Sequence, residues 1–191
     1  DKDLIPILND NLKEYNNYNV ILGDFLKRDV NLDIKLFKYD KLYVVANLPY
    51  YITTPIIEKI INSKIDADTL VFMVQKEVAD RFVAKPATED YSAITMAISL
   101  YGDAKIVGQV DKSMFYPVPK VDSSIVRIDV YDKYAGVDKK KVNKTIKCAF
   151  MMRRKTLLNN LTAVYPVQKD EAAKILESLN IDLKARGETL T

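Results

Sequence analysis

The chain has 191 residues, 48% of them hydrophobic, enough for one full domain with a core plus a small appended one. It holds no histidine and a single cysteine, which excludes Ser-His-Asp and Cys-His catalysis, a histidine-rich metal site and an intrachain disulfide; no metal site is expected. The net charge of +3 is unevenly divided: residues 131–191 carry 13 Lys/Arg against 7 Asp/Glu, or +6, and residues 1–130 carry 16 against 19, or −3. A basic module attached to a more neutral one points to nucleic acid, although a solvated helix face has the same composition. No apolar run approaches the roughly 20 residues of a membrane helix, and no signal peptide is visible, so a soluble protein without a membrane partner is expected.

In chain order, residues 1–14 read as the tail of an amphipathic helix with Leu4, Ile7, Leu8 and Leu12 on one side. Asn19 to Leu22 reads as a short apolar strand closed by Gly23-Asp24, and Leu42 to Ala46 as a second strand ending at Asn47-Leu48-Pro49-Tyr50. Pro55 stands near the start of a helix reaching about Ile61, where its missing N–H is harmless. Thr69 to Val74 is a third strand, followed by helical patterns at Lys76–Val83 and Ser92–Leu100 and by β-branched alternation at Ala104–Val110 and Ser124–Val130. Alternating strands and helices predict an α/β fold with a parallel sheet covered on both faces, the last two strands forming an antiparallel edge. From Asp138, a candidate N-cap, the pattern is helical: Val142, Ile146 and Phe150, then Leu157, Leu158 and Leu161. A boundary near Tyr131–Val137, with Gly136 as a turn signal, separates residues 1–131 from a helical domain at 132–191.

Ligands of open α/β sheets bind beyond the carboxyl ends of the strands, where Asn47-Leu48-Pro49-Tyr50 sits. These residue types suit methyl transfer to an amine conjugated with a base ring. Such an amine loses no proton near neutral pH, and its lone pair is delocalised into the ring. Two acceptors for its N–H bonds, an Asn oxygen and a backbone carbonyl, draw the nitrogen toward tetrahedral geometry. Pro49 stiffens the turn, and Tyr50 offers a ring for an unstacked base, worth on the order of 1–3 kcal/mol. The same four residues also make an ordinary strand-exit turn.

The loop resembles motif IV of the amino-methyltransferases that use S-adenosylmethionine. Extended to Asn47-Leu48-Pro49-Tyr50-Tyr51-Ile52-Thr53-Thr54-Pro55, it resembles the small-subunit ribosomal RNA adenine dimethyltransferases. Three further segments are similar to that family: Phe72 to Arg81 to a strand and its following helix, Phe115 to Ser123 to an aromatic loop, and Phe150 to Leu161 to the signature of its helical domain. The resemblance implies a Rossmann-like methyltransferase sheet, missing its first strands, with a C-terminal α-helical domain. The implied reaction is dimethylation of two adjacent adenines near the 3′ end of 16S RNA, in the assembling 30S subunit, by a cytoplasmic monomer. Asn47 and the Leu48 carbonyl would hold the amine, with Tyr50 and Phe115 on opposite faces of the flipped base and Pro49, Pro117 and Pro119 rigidifying the loops. Gly23 and Asp24 resemble the motif whose carboxylate accepts the amine of the cofactor's adenine, with Asn47 beside it; an Asp after a strand is otherwise often a cap. Gln75 reads as structural.

The chain departs from the family in two respects. Its glycines, Gly23, Gly102, Gly108, Gly136 and Gly187, form no glycine-rich cofactor loop. The acidic residue that grips the ribose is also missing, unless Asp1 imitates it. A truncated parent enzyme, whose 191-residue fragment binds S-adenosylmethionine weakly or not at all, is the expectation. Lys139, Lys140, Lys141, Lys144, Lys147, Arg153, Arg154 and Lys155 place eight cations within 17 residues, a candidate site for docking on folded RNA. Other readings stay open: a resistance-type methyltransferase of large-subunit RNA, a DNA amino-methyltransferase, and a non-catalytic ribosome-assembly or nucleic-acid-binding factor.

Overall fold

The computed structural model describes residues 2–63, 65–131 and 134–190. The chain divides into two units, Asp1–Lys38 with Pro55–Ile65, and Tyr39–Thr54 with Asp66–Thr191.

In the first unit a 3-10 turn, Lys2–Leu4, leads into helix α1 (Ile5–Leu12), as the apolar spacing predicts. The segment 19–22 is not a strand. Ile21 and Leu22 are exposed, and no described strand runs beside them. β structure is a property of a pair, so four β-prone residues without a partner ladder stay irregular. Asp29 caps α2 (Val30–Ile34) by accepting from the Asn31 N–H at 3.1 Å. Lys59, on helix α3 (Thr53–Asn62), donates to the Leu26 carbonyl at 2.7 Å and to that of Arg28. Isoleucines 56, 57, 60 and 61 of α3 are buried at helical spacing, and Pro55 lies in its first turn, where no N–H is required.

The second unit is built on a four-stranded sheet of β1 (Tyr43–Asn47), β2 (Thr69–Gln75), β3 (Gly102–Val110) and β4 (Ser123–Val130), in the order β1-β2-β4-β3. Only β1 and β2 are parallel; β4 runs antiparallel to both neighbours, with Phe72 opposite Val126 and Lys105 opposite Arg127. The expected antiparallel edge is present, but antiparallel pairing reaches the middle of the sheet because β4 returns between β2 and β3. β2 is buried along most of its length, and Phe72, Val74 and Val126 are wholly inaccessible, each worth about 1.5–3 kcal/mol on transfer from water. Helices α4 (Lys76–Phe82) and α5 (Ala93–Ser99) pack on this sheet. A reciprocal Ser92–Thr95 capping box starts α5.

Gly136, at φ +82°, makes the left-handed turn that the sequence signalled. Asp132 and Lys133, in the expected domain boundary, lie outside the described residues, as does Asp1. Asp138 caps α6 (Lys139–Ala149) by accepting from the N–H groups of Lys140 and Lys141 at 3.1 and 3.2 Å. α7 (Leu157–Val164) and α8 (Lys169–Ser178) follow, and Ala149, Leu157, Leu158, Ala172 and Leu176 form a separate small core. Among the described residues no helix is long and apolar enough to cross a membrane.

Candidate active site and nucleic-acid interface

Asn47 is the last residue of β1, opposite Met73 of β2. The next N–H, that of Leu48, donates to the Met73 carbonyl at 3.2 Å, and the Leu48 side chain is buried. This anchor holds Asn47 at the carboxyl end of the sheet with an exposed side chain. Its amide makes no hydrogen bond among the described residues. Pro49 adopts φ −61°, ψ 129°, and its carbonyl accepts from the Ile52 N–H at 3.2 Å and from the Thr53 hydroxyl at 3.0 Å. The strand therefore turns through the 3-10 segment Tyr50–Ile52 directly into α3.

The half-buried Tyr50 is fixed at its far end. Its hydroxyl lies 2.6 Å from Oγ of Ser123, the buried first residue of β4. Replacing Tyr50 by Phe is expected to lower stability by about 0.5–1.5 kcal/mol, the net value of one such bond, as read by urea denaturation; no change would mean that the bond does not fix the ring.

The same β4 terminus ends the aromatic loop. Asp111 caps the 3-10 turn Lys112–Met114 by accepting from the Ser113 N–H at 2.8 Å, and its hydrogen bonds with Ser113 hold the carboxyl below the ordinary range. Asp122 staples the loop: its carboxylate accepts from the Lys112 N–H and its carbonyl from the Lys76 N–H, each at 3.0 Å. Phe115 is half-buried, Tyr116 is completely exposed, and the Tyr116–Pro117 bond is cis. Tyr50 and the Phe115 loop thus share one end of the sheet, with Ser123 as the link.

Asp24, in the first unit, caps a turn: its Oδ1 accepts from the Leu26 N–H at 3.0 Å, and Oδ2 lies 3.5 Å from the Lys27 ammonium. Gly23 beside it is exposed.

The eight cations differ in their freedom. Lys139 lies 4.8 Å from the Tyr101 ring centre, Lys144 lies 5.3 Å from that of Tyr165, and Lys141 is 3.9 Å from Asp138. Lys147 is exposed but also engaged. Arg153 donates to the Glu188 carboxylate at 3.1 Å and to the Glu89 carbonyl, tying three segments together. Lys140, Arg154 and Lys155 are exposed and make no side-chain bond among the described residues.

Sequence reasoning missed the groups that hold these pieces. Asp122 and Ser123 stand inside the quoted aromatic motif, where only the rings and prolines drew notice. Asn160, wholly buried, donates to the carbonyls of Ala149 at 2.8 Å and Met152 at 3.4 Å, and thereby fixes the turn that carries Arg153 to Lys155.

A sequence model described as ribosomal RNA adenine dimethylase matches residues 1–191. The chain belongs to that family. It is 46% identical to the ribosomal RNA small subunit methyltransferase A of Clostridioides difficile, over the whole chain and 67% of that protein, and 45% identical to that of Clostridium acetobutylicum, over 69% of it. It superimposes on a crystal structure of a dimethyladenosine transferase from Plasmodium falciparum with a TM-score of 0.80 at 26% identity, over the whole chain and 74% of that structure. The 23S rRNA methyltransferase ErmE shares the fold, with a TM-score of 0.65 at 22% identity. Membership makes the protein a Rossmann-like methyltransferase of ribosomal RNA adenine, a reaction whose methyl donor is S-adenosylmethionine.

Proposed function

We propose that this protein dimethylates N6 of two adjacent adenines near the 3′ end of small-subunit ribosomal RNA, within the assembling 30S particle. The Asn47 amide, without a hydrogen bond among the described residues, at the end of β1 and close in sequence to a pinned Tyr50, carries this reading. The Asn47 oxygen and the Leu48 carbonyl accept the two N–H bonds of the target amine and direct its lone pair outward. Methyl transfer leaves a cationic, tetrahedral nitrogen, whose proton is far more acidic than those of the neutral amine and goes to solvent. Tyr50 stacks on the flipped base, Phe115 covers its other face, and the ring–base contacts offset part of the unstacking cost of a few kcal/mol.

S-adenosylmethionine supplies the electrophilic methyl group when bound. Of the residues present, Asp24 offers a carboxylate suited to the adenine amine of that cofactor, its Oδ2 3.5 Å from the exposed Lys27 ammonium and Gly23 beside it in the chain. The 191 residues contain no glycine cluster to cradle the methionine moiety. Weak or absent cofactor binding by this polypeptide alone follows.

Residues 1–131 form the catalytic part and 132–191 an RNA-docking part. Arg154, Lys155 and Lys140 meet phosphates directly, while Lys139, Lys141, Lys144 and Lys147 supply field and Arg153 holds the turn. A monomer in the cytoplasm, where ribosomal subunits assemble, fits this substrate.

Methylation of unmethylated small subunits, large subunits and DNA by the protein with its complete cofactor site tests the reading. Dimethyladenine confined to small-subunit RNA is expected; product on DNA, or only on large subunits, would reject it.

A further inference from the structure

A cleft of about 450 Å³ opens between the β2–α4 corner and the loop that bears Phe115. Gln75, Lys76, Glu77 and Asp80 line one wall, and Lys112, Lys120 and Asp122 the other. Three cations face three carboxylates there, but the carboxylates are already committed. Glu77 pairs with Arg81, and Asp80 pairs with Lys76 at 2.7 Å. Asp122 is the loop staple, accepting from the Lys112 backbone N–H. The Lys112 and Lys120 ammonium groups are left exposed and make no side-chain bond among the described residues. Two free ammonium groups thus outnumber the one carboxylate, that of Asp122, that pairs with no cation among the described residues, which leaves the cleft a small positive excess.

Its position is as informative as its charge. Gln75 is paired in register with Ser123, the residue that holds Tyr50, so the cleft begins one strand away from the stacking ring. Lys112 and Lys120 flank Phe115 on the two sides of its loop, three residues before and five after. A base flipped onto Tyr50 drags its own backbone with it, and the neighbouring phosphate must lie within a nucleotide's length.

We propose that this cleft is the subsite for the RNA backbone next to the target adenine, with Lys112 and Lys120 clamping the flanking phosphate. It deepens the reading given above and rests on it. The clamp adds affinity without reading sequence, and it holds the strand while the base is out of its stack.

The test measures the affinity of the 191-residue chain for a short single-stranded oligoadenylate at a series of salt concentrations. For Lys112→Ala/Lys120→Ala the slope of log K against log salt is expected to become shallower by roughly 0.7 for each phosphate that is no longer neutralised. Lys112→Arg/Lys120→Arg, which keeps both charges, should retain the wild-type slope. Both lysines are exposed, so thermal melting of the variants should match the wild type. An unchanged slope in the folded double-alanine variant would overturn the clamp and leave the proposed function standing. Absence of any salt-dependent binding by the wild-type chain would overturn both.

Discussion

Asn47→Ala is expected to lower turnover of adenine methylation by roughly 10²–10³-fold in the protein with its complete cofactor site, the loss that follows removal of one preorganised polar group at a reacting centre. The loss should fall on kcat, because the Asn47 oxygen gains most as the amine pyramidalises and its N–H bonds become more acidic. Stability should stay within about 0.5 kcal/mol, since the side chain is exposed and bonds to nothing described. Asn47→Asp separates geometry from charge: it keeps an acceptor but replaces a neutral amide with an anion in the site. Turnover of Asn47→Ala within tenfold of wild type, measured by methyl incorporation into small-subunit RNA, would remove Asn47 from the reaction.

Asn160→Ala should cost about 2–3 kcal/mol of unfolding free energy. Its amide serves two carbonyls that are fixed in place, those of Ala149 and Met152. A buried acceptor deprived of its donor costs roughly 1–3 kcal/mol. The Ala149 carbonyl has little room to recruit water, because Gly187 packs against it so closely that an added Cβ would lie 2.5 Å from its oxygen. One feature lowers the cost: the Asn160 oxygen itself has no partner among the described residues, so its removal is favourable. Urea denaturation should show a lower midpoint at unchanged m-value. Asn160→Asp, which loses both donors and adds a buried charge, should be at least as damaging. A shift under about 0.5 kcal/mol in both, no more than an ordinary surface substitution gives, would show that the turn holds itself.

The elements best legible in the sequence were those whose cause is local. The β2 run from Thr69, the Asp138 cap and the Asn47 exit turn each depend on neighbours along the chain, and all stand as the pattern implies. The failures share a cause, namely partners distant in sequence. Periodicity tells which face of β4 is apolar but not that β4 lies between β2 and β3. Apolarity at residues 19–22 could not supply the adjoining strand that pairing demands. Charge density marked Arg153 for RNA, but it could not show that the same guanidinium bonds Glu188, 35 positions away. The link between Tyr50 and Ser123 spans 73 positions, so no local pattern could have announced the hydroxyl that orients the stacking ring.

The first turn of α6 is Lys139-Lys140-Lys141, without an acidic residue, at the end of a helix where the peptide dipoles already accumulate positive charge. Each such cation is unfavourable by a few tenths of a kcal/mol, which the Asp138 carboxylate and the Tyr101 ring beneath Lys139 offset in part. Folding alone would not select this arrangement. The helix is therefore electrostatically loaded: an anion arriving there relieves repulsion within the protein as well as making its own contacts. Simple electrolyte should stabilise the free chain, by screening its lysines from one another, under the same conditions in which it weakens the grip on RNA.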